Sequence, residues 1–210
     1  MDRAFHHSKA EAFTLVELLV VVAIIAVFAA LYLPATNRAK GKAVRIQCVG
    51  NLHQVGLAFQ MFAEDHNGRY PMQVSAREGG SKEFTAGGNA YRHFQAVSNE
   101  LVLSKVLLCP ADKLRKSADW QSLTNDNISY FVGLDAVSGK PGYLLSGDRN
   151  ITNQTAAGGS ILYLSTNAVA GWNGELHNFK GNALFADGRV EQLDDRRLQE
   201  ALRNHGASPP

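Results

Sequence analysis

Residues 13–33, FTLVELLVVVAIIAVFAALYL, form an apolar run in which only Thr14 and Glu17 are not apolar. A helix of that length rises about 31 Å, close to the hydrocarbon thickness of a bilayer. The run predicts a membrane-spanning helix, and the rest of the chain is ordinary and water-soluble in composition. A secretory signal peptide has a shorter apolar core followed by a small-x-small cleavage site. This run instead continues into LPATNRAKGKAVR, which has no such site. Removal of the helix on its far side is therefore not expected.

Glu17 is the informative residue. An acid in a spanning helix costs about 2.5 to 3.5 kcal/mol at the bilayer centre and less toward an end, so something should compensate it. One reading places Glu17 at the interface, reaching headgroup water. The other supplies a cation. If the chain were cut between Ala12 and Phe13, the freed α-amine would lie one turn from Glu17, or opposite the Glu17 of a neighbouring copy.

The stretch AFTLVELLVVVAIIAVFAALYLPA, residues 12–35, resembles the N-terminal signal of type IV prepilins and type II secretion pseudopilins. The resemblance implies cleavage by a prepilin peptidase after Ala12, methylation of the new N-terminus at Phe13, an assembly role for Glu17 and a helix-kinking Pro34. Two features depart from the family. Ala12 stands where Gly is usual, and the leader balances Arg3 and Lys9 against Asp2 and Glu11 instead of being basic. The basic collar Arg38, Lys40, Lys42 and Arg45 would, by a bare count of positive charges, hold the C-terminal part in the cytoplasm. The resemblance implies export, and long domains translocate largely regardless of charge. The collar itself is read as touching anionic headgroups or simply solvating the helix.

After Pro34, apolar residues Val44, Cys48, Leu52, Val55, Phe59 and Phe62 recur at spacings of four and three, so the helix is expected to continue as an amphipathic stalk. It should stop near 65–68, where Asn67 and Gly68 offer a C-terminal cap and Pro71 follows. A continuous helix from Phe13 would be roughly 80 Å long. Residues 72–92 read as an irregular Gly-rich loop, and 93–101 as a short helix. Strands are expected at 106–109, 128–132, 143–146, 161–165, 182–186 and 189–193. Asp187-Gly188 joins the last two as a two-residue hairpin. Residues 194–206 read as a terminal helix ended by Gly206.

The expected architecture is α+β and pilin-like, a long N-terminal transmembrane and stalk helix packed on a small antiparallel sheet. Its parts are a leader (1–12), a transmembrane assembly segment (13–35), a stalk (36–68) and a periplasmic head (69–210). Head segments CPADK (109–113), SYFVGLDA (129–136) and SGDRNIT (146–152) resemble one branch of pseudopilin-like proteins. So does His177 followed nine residues later by Asp187-Gly188, the H-x9-DG signature of prepilin-type processing-associated proteins.

Chemistry is sparse. Cys48 and Cys109 are too few for a disulfide scaffold and too far apart for a CxxC pair. They are either one bridge, if they face an oxidising compartment, or two small buried hydrophobes. His177 with Asp187 could suggest acid-base catalysis, but no GxSxG or HExxH pattern accompanies them. Asp187 and Gly188 are explained by the turn, and His177 by a bond to the turn or the sheet edge. Calcium is an alternative for Asp148, Asn150 and Thr152, whose oxygens alternate, although alternating polar residues are also what an exposed strand face shows. No other cofactor is implied. A near-neutral net charge of +2, with no Lys/Arg stripe interleaved with aromatics, argues against a nucleic-acid partner.

The reading is a non-enzymatic pseudopilin-like subunit of a bacterial inner membrane, single-pass, with its head in the periplasm. Its partners would be the lipid bilayer, other pilin copies, the prepilin peptidase and an inner-membrane assembly platform. The alternative is an uncleaved single-pass anchor whose head binds a ligand such as a glycan. A third reading is a membrane-tethered hydrolase using His177.

Overall fold

The computed structural model describes residues 13–153, 161–162, 164 and 169–204, and for 33–39 the backbone alone. Helix α1 runs Leu15–Asp65. The chain divides into two compact units, Met1–Lys42 and Ala43–Pro210.

In the first unit, Leu15–Tyr32 is long and apolar enough to cross a membrane. Its large side chains, among them Leu15, Leu19, Ile24, Phe28 and Leu31, are all exposed. An apolar patch of that extent is uncommon on a monomer in water and marks a membrane or protein contact. Pro34 lies inside α1. Having no N–H, it leaves the carbonyl one turn earlier without a helical donor.

In the second unit, the periodic face of α1 is buried: Cys48, Leu52, Val55, Phe59 and Phe62. Phe59 packs edge-on against Tyr70 and Phe94, with ring centroids 6.0 and 5.9 Å apart. Burying one such ring stabilises the fold by about 1.5 to 3 kcal/mol. The helix ends as expected, with the Gly68 amide donating to the Ala63 carbonyl at 2.8 Å and Gly68 at φ 75°. Glycine adopts that left-handed conformation without a Cβ penalty.

The head is built on an antiparallel sheet ordered β1-β2-β5-β6. Its strands are β1 (Tyr130–Val132), β2 (Leu144–Asp148), β5 (Gly181–Phe185) and β6 (Val190–Leu193). A second, two-stranded sheet pairs β3 (Ile151–Asn153) with β4 (Ala170–Trp172). Both faces of the main sheet are covered. Leu145, Leu184 and Ala186 join the α1 core, while Leu144, Ala183, Phe185 and Leu193 face Trp172 and helix α4 (Asp195–Arg203), which contributes Leu198 and Leu202. Neighbouring residues along one strand therefore serve opposite cores. The approach to α1 is close enough that a Cβ on Gly56 would sit 2.9 Å from a methyl of Leu184.

The main sheet and α4 lie close to the expected positions, and Asp194 caps α4 by accepting from the Arg197 amide at 2.9 Å. Residue 206 falls outside the described residues. Several details differ. Residues 106–109 are no strand; Ser104–Leu107 forms a 3-10 turn that buries Val106 and Leu107. No strand occurs at the described residues of 161–165. Residues 72–92 are largely organised into 3-10 turns at Pro71–Gln73, Ala76–Glu78 and Lys82–Gly87. Helix α2 (Ala90–Gln95) and helix α3 (Ser98–Leu101) then divide the expected single helix in two. Strands β3 and β4 carry little alternation, so no period-2 pattern announces them. The β5–β6 loop holds three residues rather than two: Phe185 and Arg189 bond, and Gly188 closes a tight turn at φ 90°. This is the longer hairpin with a left-handed Gly in third place, which a DG pair also suits.

Candidate functional site

At the start of α1, Thr14 and Glu17 form a reciprocal cap. The Thr14 amide and hydroxyl donate to Glu17 Oε2 at 2.9 and 2.7 Å, and the Glu17 amide donates to Thr14 Oγ1 at 3.3 Å. Two of the otherwise unpaired donors of the first turn, together with the Thr14 hydroxyl, are satisfied this way. The acid in the apolar run is thus bonded within its own turn, an arrangement spelled in the sequence as Thr-x-x-Glu. Both residues are exposed, as is Phe13. Ala12, on the other side of the expected cut, lies outside the described residues.

The head carries a second concentration of polar chemistry, almost entirely buried. Cys48 on α1 and Cys109 are joined by a disulfide with Cα atoms 5.1 Å apart. Closing that loop stabilises the fold by about 4 kcal/mol on chain-entropy grounds. His177 Nε2 lies 3.3 Å from Cys109 Sγ and 3.5 Å from Asp148 Oδ2. Asp148 Oδ2 accepts from the amide and side chain of Asn182 at 2.6 and 2.9 Å. One layer out, Arg149 grips Asp112 through two bonds of 2.7 and 3.0 Å and reaches Glu175 at 2.6 Å, while Ser129 donates to Asp112 at 2.9 Å.

Burial sets the protonation of these groups. It pushes His177 down to about 4, with the Arg45 charge adding to the effect, so the imidazole is neutral near pH 7. Its contact with Asp148 is then not an ion pair. Burial raises Asp148 to about 7, against the Asn182 bonds and Arg45, which favour the anion. Burial also raises Asp112, but Arg149 and Ser129 outweigh it and hold the carboxyl below its ordinary value.

The four head motifs therefore converge. Cys109 and Asp112 come from CPADK, Ser129 from SYFVGLDA, Asp148 and Arg149 from SGDRNIT, and His177 from the H-x9-DG pattern. Their common purpose is hidden in the sequence because each contact spans many residues. Three expectations are corrected. Among the described residues the His177 side chain bonds neither the turn nor the sheet edge, while Asp187 accepts from Arg189 at 3.2 and 3.0 Å. Asp148 and Asn150 are not on an exposed strand face: both are buried, and Asn150 donates to the carbonyls of Asn173 and Lys180 at 2.9 and 3.2 Å. Thr152 is half-buried on β3 of the smaller sheet. Arg45, counted in the basic collar, instead donates to Gln192 and to the His177 carbonyl, each at 3.1 Å.

Residues 7–33 match the family model of the prokaryotic N-terminal methylation motif. The chain carries the prepilin and pseudopilin signature. The methylation motif spans the Thr14–Glu17 cap and most of the exposed apolar helix, and with the antiparallel head it gives an α+β, pilin-like architecture. No curated protein and no solved structure matches the chain.

Proposed function

We propose that this chain is a pseudopilin-like subunit of a type II secretion or type IV pilus-like filament, cut between Ala12 and Phe13 and methylated at the new amine. The observation that carries the reading is the methylation motif over 7–33 leading directly into a helix whose apolar surface is bare. Before assembly that surface is covered by lipid, which anchors the subunit in the inner membrane with its head on the periplasmic side. In a filament, the same side chains pack against those of neighbouring copies.

The cap refines the role of Glu17. In the uncut chain its Oε2 is held by Thr14, which lowers the cost of carrying an acid into the membrane. Cleavage adds a cation at Phe13, and a Glu17 from an adjacent copy is its natural counterpart in a low-dielectric bundle. The head is read as structural rather than catalytic. His177 is enclosed beside a disulfide, and Asp187 is engaged by Arg189, which supports that reading.

The test is Glu17→Ala in the native host. Membrane insertion should be unchanged, because an apolar side chain only favours it, while incorporation into filaments drops to background. Wild-type incorporation of the variant would overturn the assembly role.

A further inference from the structure

We propose that the buried cluster of Cys48, Cys109, His177 and Asp148 is a redox-gated site for a zinc ion, closed while the cysteines are bridged and open when they are reduced. It is independent of the filament reading, since all four residues lie in the second unit.

The donor atoms of Cys48, Cys109 and His177 lie within 4.8 Å of one another, and all three residues are buried. A tetrahedral zinc with ordinary bond lengths sets its sulfur and nitrogen ligands about 3.6 Å apart, and nitrogen and oxygen about 3.3 Å apart. The observed separations are 3.3 Å from Cys109 Sγ to His177 Nε2 and 3.5 Å from His177 Nε2 to Asp148 Oδ2. The two sulfurs, bonded to each other here, must part to about 3.8 Å.

A second observation points to a ligand. Asp148 is fully buried; its Oδ2, the oxygen 3.5 Å from His177, already accepts twice from Asn182, while the other oxygen of the same carboxyl, Oδ1, has no hydrogen-bond partner among the described residues and is the one left for a metal. A buried carboxylate oxygen without a donor is costly unless something pairs with it. Charge also fits. Two thiolates and one carboxylate leave a bound zinc with one negative charge in excess, and Arg45, which donates to the His177 carbonyl, places its positive charge near enough to act on Asp148. Two sulfurs and an imidazole suit zinc, whereas calcium requires six or more oxygens.

The chemistry balances as two steps. A dithiol reductant gives two electrons and two protons to the bridge, becoming a disulfide itself and leaving two protein thiols. Zinc then displaces both thiol protons, and the proton of any Asp148 that is still protonated, to solvent and takes the lone pair of neutral His177 Nε2, its proton residing on Nδ1. Bridged sulfurs are poor ligands because the thiolate is the binding form.

The experiment uses the full chain in detergent, reduced with a dithiol that is then removed under anaerobic conditions, and titrated with cobalt(II) as an optical probe before zinc is added. The reduced protein should take one equivalent of cobalt with a thiolate-to-cobalt absorption band, which zinc abolishes and calcium leaves intact. The bridged protein should show no such band. His177→Gln and Asp148→Asn should each weaken zinc binding about tenfold or more. The proposal is overturned by a reduced protein that shows no thiolate band, whether folded or unfolded, by equal metal uptake in the bridged form, or by calcium displacing the cobalt. The decisive band is read on unmodified protein, so it does not depend on whether either variant folds.

Discussion

Glu17 and Asp148 are both carboxylates in apolar company, and the chain handles them in opposite ways. Glu17 sits on a bare rod and is bonded by a residue three positions away. Asp148 sits in the core of the head, and its donors come from Asn182, on a neighbouring strand and 34 residues distant. The first solution is local and survives whatever surrounds the helix. The second exists only once the sheet has formed, so the head must fold to accommodate its acid, whereas the rod need not.

The largest effect expected from this contrast is on pH dependence. His93 is buried, bonded to Ser81 at 2.7 Å, and pushed by burial down to about 4. Unfolding lets it take up a proton below about 6.5, so the unfolded state binds more protons between those values and stability falls with pH there. The loss attributable to His93 approaches about 3 kcal/mol at pH 4. Urea unfolding of wild type and His93→Gln, followed by tryptophan fluorescence, should show the difference between them shrinking as pH drops from 7 to 4.5. A constant difference would mean that the imidazole is not held neutral. The exposed first unit should show no matching response.

A smaller effect is expected from Asn182→Ala, which removes one donor to Asp148 and should destabilise the head by about 2 kcal/mol. The urea midpoint of the same transition measures it. An unchanged midpoint would mean that Asp148 does not depend on its long-range partner.

This dependence on distance also explains what was legible in the sequence. The apolar run, the periodic stalk face, the Gly68 stop and the Asp187-Gly188 hairpin are written in neighbouring residues, and all can be read there. The cap at Thr14 is equally local, spelled Thr-x-x-Glu, but an acid in an apolar run directs attention to a cation and away from a hydroxyl three residues back. The buried cluster could not be assembled in advance. Cys48, Cys109, Asp148 and His177 come together through the packing of α1 on the sheet, and no periodicity encodes that. Their motifs are visible in the sequence while their meeting point is not. Residues 106–109 are ambiguous for a related reason, since a short apolar run suits a strand or a buried turn equally well, and only packing decides.

The smallest effect belongs to the cap. Thr14→Ala should cost the first turn of α1 about 1 kcal/mol and speed amide exchange there about fivefold in detergent micelles, leaving the head unaffected. An equal change in the head amides would show that the two regions are coupled more tightly than their separate solutions imply.

In the uncut chain Glu17 is satisfied within its own turn, and processing should replace that local solution with a charge partner at Phe13. Intact-mass measurement of the protein isolated from its native membrane reads this exchange without an intermediate assay. The expected species lacks residues 1–12 and carries one added methyl on Phe13. A protein that still begins at Met1 would contradict the exchange.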